Sequence, residues 1–166
     1  MSYGTDPGGL ALTRSDMLMA VLISSFAQVP AIFLAAFWSD RHGRRGIYKT
    51  GALAMAVWGF CVFPLMDTGS LILITLALSI GQIFIGMMYG PQAALLTELF
   101  STEVRYSGAS LGYQLGAIVG GGMAPIAATA LIAAFGSTVW VSAYIAFASL
   151  LTWLSLHLLK ENHQVD

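Results

Sequence analysis

Ser39-Asp40-Arg41-His42-Gly43-Arg44-Arg45-Gly46-Ile47-Tyr48-Lys49 packs four of the chain's seven Lys and Arg residues into one short stretch. In a soluble protein a basic run is usually a solvated face. Its flanks forbid that here. Residues 17–38 are 22 positions without a charge, and residues 50–66 are another 17. A helix of about 20 apolar residues crosses the roughly 30 Å hydrocarbon core of a bilayer. The basic stretch therefore reads as a short loop between two membrane spans. Short loops rich in Lys and Arg stay on the cytoplasmic side, so this loop sets the orientation expected for the rest.

Composition agrees. The chain has 166 residues, 57% hydrophobic and 9% charged. Soluble domains carry about 25% charged residues. The pattern is that of an all-α, polytopic membrane protein whose main partner is the lipid bilayer. A nucleic-acid partner has no support, because no basic face exists beyond one loop. Cys61, the only cysteine, lies within an apolar run and reads as a small hydrophobe. The first 15 residues lack a basic n-region, so they do not read as a cleavable signal.

In chain order, residues 1–15 form a polar, Gly-rich lead, expected outside. Ser15-Asp16 starts the first span, 16–38, with Gln28 and Pro30 near its centre. The second span is 47–66. Asp67-Thr68-Gly69-Ser70 is a turn without Lys or Arg, expected outside. The third span, 71–97, carries Gln82, Tyr89 and Gln92. Glu98, Glu103 and Arg105 mark the next loop, which alternation puts inside. Residues 106–159 run uncharged for 54 positions, too long for one helix. Phe135-Gly136-Ser137-Thr138 is the natural break, giving spans 107–134 and 139–159. The five-helix membrane domain covers 16–160, and the tail 161–166 is expected in the cytoplasm.

Within the fourth span Gly108, Gly112, Gly116 and Gly120 recur every four residues, followed by Gly121 and Gly122. That spacing makes one smooth stripe on a helix, which suits close packing or a sliding surface. The three adjacent glycines with Pro125 are also a place where the helix can bend. Gly108-Ala109-Ser110-Leu111-Gly112 matches the nucleophile elbow G-x-S-x-G. That motif needs a preceding strand and an acid–histidine pair, and a charged loop precedes it here. With no nucleophile or metal-ligand constellation, neither an enzyme nor a bound metal or cofactor is expected. No charge lies well inside any span, so no coupling carboxylate is evident. The central polar groups are Gln28, Gln82, Tyr89, Gln92, Tyr113 and Gln114. They can line a solute cavity or bond across helices. Gln82 and Tyr89, seven apart, share a face.

Asp40-Arg41-His42-Gly43-Arg44-Arg45 resembles the D-R-x-G-R-R loop of the major facilitator superfamily of secondary transporters. Glu98 and Arg105 resemble the acidic and basic pair of its later cytoplasmic loop. Tyr89-Gly90-Pro91-Gln92-Ala93-Ala94 and the run from Arg105-Tyr106-Ser107-Gly108 to Tyr113-Gln114-Leu115-Gly116 are similar to the bacterial metabolite:proton symporters. Three departures stand out: Ala36 for the usual glycine before the aspartate, Ser101 for the usual proline, and the extra acid Glu103. The resemblance implies helices eight to twelve of a twelve-helix carrier, an incomplete carboxyl-terminal bundle. The intact carrier would move a small polar metabolite, an organic acid or osmolyte, with protons across the inner membrane. It also implies a cytoplasmic gate of Asp40, Arg41, Gly43, Arg44, Arg45, Glu98 and Arg105, and a partner amino-terminal half outside this chain. The alternatives are a non-transporting remnant or assembly partner, or a major facilitator of another substrate class.

Overall fold

The computed structural model describes residues 13–158. The greater part of the polar lead and the tail 161–166 lie outside the described residues. Five helices are long and apolar enough to cross a membrane. They are α1 (Arg14–His42), α2 (Arg44–Asp67), α3 (Leu71–Glu98), α4 (Arg105–Phe135) and α5 (Val139–Leu158). No strand occurs among the described residues. Helices are what an apolar chain must form in lipid, because only they satisfy every backbone N–H and C=O within one segment.

The helix ends differ from a reading by hydropathy alone. α1 starts earlier, capped by Thr13, whose Oγ1 accepts from the Asp16 N–H at 3.2 Å. Threonine at the cap with an acid three residues on satisfies a free N–H of the first turn and favours its positive end. At the other end α1 does not stop at Trp38 but runs through Arg41 to His42, and α2 begins at Arg44. The basic stretch is therefore helical on both sides of one residue, Gly43. With φ at +92°, Gly43 occupies backbone space that side chains disfavour, and its N–H bonds Ser39 O at 3.0 Å. The charged residues are wound into helix ends that project past the apolar runs.

α3 is the central element, with α1 on one side and α2 on the other, while α5 packs on α2. The α1–α3 contact is made by backbone and small side chains. A Cβ added to Gly86 would lie 2.8 Å from Ala31 Cβ. One added to Gly90 would lie 2.7 Å from both Ala36 N and Ile32 O. Ala31 and Ala35, buried and four apart, offer the matching flat face on α1. This is the close approach that lets dispersion hold helices together where lipid removes any hydrophobic drive. Between α2 and α3, Trp58 Nε1 donates to Ala77 O at 3.1 Å and its ring meets Phe84 edge-on. Between α2 and α5, a Cβ on Gly59 would lie 3.1 Å from Ile145 Cγ2. Far from the charged turn, Met17, Ala20, Met66 and Ile74 close a small apolar core. Large apolar side chains such as Phe26, Phe33 and Ile72 point outward, 70–78% exposed, as lipid-facing residues do.

α4 is different. It consists of an α segment, Arg105–Gly116, a π segment, Ala117–Gly122, and a second α segment, Met123–Phe135. No part of its most apolar stretch is buried in the described chain. It ends at Gly136, left-handed with φ +63°, whose N–H bonds Ile132 O at 2.8 Å.

Two glycines separate contact from spacing. Gly90→Ala pushes a methyl into backbone atoms that cannot yield and is expected to cost about 1–3 kcal/mol. Gly116→Ala, with nothing within 4 Å of its Cβ position, is expected to be neutral or to gain up to about 1 kcal/mol from helix propensity. Unfolding midpoints in detergent measured for both variants check this. Equal effects would contradict the assigned α1–α3 contact.

Candidate functional site: the charged turn and the helices around it

Charge is scarce in this chain, and the structure gathers much of it at one end. Arg44 opens α2, Asp40 sits in the last turn of α1, and Glu98 closes α3. The Arg44 guanidinium bridges them. Nη1 donates to Glu98 Oε1 at 2.5 Å and Nη2 to Asp40 Oδ1 at 3.2 Å. One forked side chain thus ties three helix ends together. The Arg44 side chain is 29% exposed, Asp40 64% and Glu98 56%. The cluster is therefore partly open to solvent.

The other members are placed around it. Arg41 does not reach Glu98; its guanidinium lies 4.5 Å over the Phe37 ring. His42 meets Trp38 edge-on at 5.8 Å. Gly43 supplies the chain reversal, and Arg45 is half-buried in the first turn of α2. Arg105 stands exposed where α4 begins.

Of the cavity candidates, Gln28 on α1 and Gln82 and Gln92 on α3 are half-buried, while Gln114 on α4 is exposed. Tyr89 of α3 and Tyr113 of α4 lie within electrostatic range of each other. Tyr48 of α2 also lies within electrostatic range of Tyr89. Sequence reasoning passed over Tyr48, which lies where the charged stretch overlaps the start of the second span. The available signal was its position four residues after Arg44, hence on the same face of α2. An open apolar groove runs along α1 beside Leu22, Phe26 and Val29, and none of the cavity candidates lines it.

The glycine row of α4 divides. Gly108 is covered by the ring of Phe100, close enough that no Cβ would fit. Gly112, Gly116, Gly120, Gly121 and Gly122 face open space, with none of the described residues outside the helix within 4 Å of their Cβ positions. Pro125 follows the π segment, and Thr129 Oγ1 donates to its carbonyl at 3.0 Å.

The profile of the Major Facilitator Superfamily matches residues 3–165. The chain belongs to the Major Facilitator Superfamily. Among relatives of this major facilitator chain, the inner membrane metabolite transport protein YhjE of Escherichia coli is 38% identical over 170 residues, which is 98% of this chain and 37% of that protein. The shikimate transporter of Escherichia coli is 33% identical over 167 residues, 99% of this chain and 37% of that one. A citrate-proton symporter of Klebsiella pneumoniae is 30% identical over 142 residues, 85% of this chain and 32% of that one. The chain spans about one third of the length of these relatives. No solved structure matches it. Because the relatives are transport proteins, the major facilitator chain points away from an enzyme.

The exposure of the Arg44 cluster bounds its strength. Exposed ion pairs contribute about 0.2–1 kcal/mol. A double-mutant cycle with Arg44→Ala and Glu98→Gln, read by unfolding in detergent, is expected to give a coupling in that range at low salt. At 1 M salt, where the screening length is about 3 Å, the coupling should shrink. A coupling above about 3 kcal/mol would mean a pair shut off from water.

Proposed function

We propose that this chain supplies helices eight to twelve of a proton-coupled secondary transporter for a small organic acid or osmolyte. In this proposal α1–α5 lie in the inner membrane with the charged turn in the cytoplasm, the amino-terminal end outside and the carboxyl-terminal end inside. The observation that carries it is the bridge from Arg44 to Asp40 and Glu98, on residues that match a transporter family over almost the whole chain.

Alternating access requires contacts at one membrane face that hold that side shut and then release. A pair worth about 0.2–1 kcal/mol changes a two-state population by at most about fivefold. That is enough to bias a gate and too little to lock it. Asp40, Arg41, Gly43, Arg44, Arg45, Glu98 and Arg105 are proposed as this chain's share of the cytoplasmic gate. Gln28, Gln82, Tyr89, Gln92, Tyr113 and Gln114 are proposed as its share of the cavity lining. These groups are uncharged, and neutral donors and acceptors can bind a polar solute while coupling carboxylates come from elsewhere. The row Gly108 to Gly122 with Pro125 is proposed as a packing face and hinge.

A midplane site between two bundles needs the amino-terminal half as partner. Cells expressing this chain alone are expected to show no proton-dependent uptake of labelled citrate or shikimate. Co-expression with the amino-terminal part of a metabolite transporter relative is expected to restore it, and Glu98→Gln to alter its rate. Uptake by the chain alone as a monomer contradicts the need for a second bundle. No uptake in any combination favours the rival, a membrane protein with assembly roles only.

A further inference from the structure

Among the described residues, the two ends of α4 are held by different neighbours and its middle by none. The first segment, Arg105–Gly116, meets α3. Phe100, just past the end of α3, covers Gly108. The second segment, Met123–Phe135, meets α5. The rings of Phe135 and Trp140 lie 4.7 Å apart across the left-handed Gly136. Between them lies the π segment Ala117–Gly122. π turns inside α-helices are rare and concentrate at functional sites. This one ends in three consecutive glycines, the residue with the greatest backbone freedom. Pro125 has no N–H to give to the Gly121 carbonyl, which weakens the same turn from the other side. Among the described residues, no atom outside the helix comes within 4 Å of a Cβ placed on Gly116, Gly120, Gly121 or Gly122.

We infer that α4 is two rigid pieces on a compliant π joint, the first carried by α3 and the second by α5. This deepens the proposed hinge but does not depend on transport. Movement of α3 then carries residues 105–116 with it and leaves 123–135 with α5. Because Glu98 at the end of α3 is bonded to Arg44, release of the charged cluster would be felt by the first piece and absorbed at the joint.

The test is pairwise spin-label distance measurement on the full chain in lipid nanodiscs, in a Cys61→Ser background. Labels go on exposed positions: Leu111 with Ile83 for the first piece on α3, Ile126 with Phe147 for the second on α5, and Leu111 with Ile126 across the joint. The cross-joint distribution is expected to be at least twofold wider than either of the others. Gly121→Ala with Gly122→Ala should bring the ratio of widths towards one. Phe100→Ala, which uncovers Gly108, should widen the Leu111–Ile83 distribution and leave Ile126–Phe147 unchanged. A cross-joint distribution as narrow as the other two makes α4 one rod and overturns the inference. So does a Phe100→Ala variant that widens all three equally. None of these readouts involves uptake, so their failure is separable from failure of the transporter proposal.

Discussion

A charged side chain at the centre of a bilayer costs about 2.5–3.5 kcal/mol on insertion scales. Asp40, Arg41, Arg44, Arg45 and Lys49 fall within ten positions, so the α1–α2 junction cannot leave a membrane face. That constraint fixes the level of every helix. Arg44 extends it to the end of α3, 54 positions away in sequence, through Glu98. The bond is individually weak, but it need not supply stability. The cost of burying the charges already puts these helix ends in one plane, and the guanidinium only selects which ends touch.

Stability comes instead from close backbone approach. α1 lies on α3 through Gly86, Gly90, Ala31 and Ala35, α2 meets α3 at Gly51, and α2 meets α5 at Gly59. These contacts make α1, α2, α3 and α5 one packed unit. α4 stands apart from it, joined mainly near its ends. A firm unit with one loosely held helix can change shape at that helix without unfolding. The energies agree with it: steric contacts of about 1–3 kcal/mol resist change, while exposed ion pairs and a π turn do not.

Much of this architecture was readable from sequence, for a physical reason. Apolar runs between charges can only be membrane helices, so the five spans and the all-helical class follow from run length. What run length misses is the helicity of the charged ends. Residues 39–49 look like a loop by composition, yet only Gly43 leaves the helix, because polar residues at a membrane edge can stay helical while their side chains reach water. The glycines show a second limit. A four-residue period in α4 tells which residues share a face, but not whether a neighbour faces them. Gly112, Gly116 and Gly120 look towards open space, while Gly86 and Gly90, also four apart, touch α1, and Gly51 and Gly59 touch α3 and α5. Arg44 could not be told from Arg41 by spacing, since the choice depends on Phe37 capturing the Arg41 guanidinium.

The sidedness of the charged turn is the claim on which the proposed gate rests, and one labelling experiment reaches it directly. His42 is exposed beside the turn, and a cysteine there leaves the special backbone of Gly43 intact. In a Cys61→Ser background, His42→Cys should be silent to a membrane-impermeant maleimide in intact cells and react in inside-out vesicles. Reaction from the outside of intact cells would contradict the account, because Arg44, Asp40 and Glu98 would then lie at the opposite face from the gate they are proposed to form.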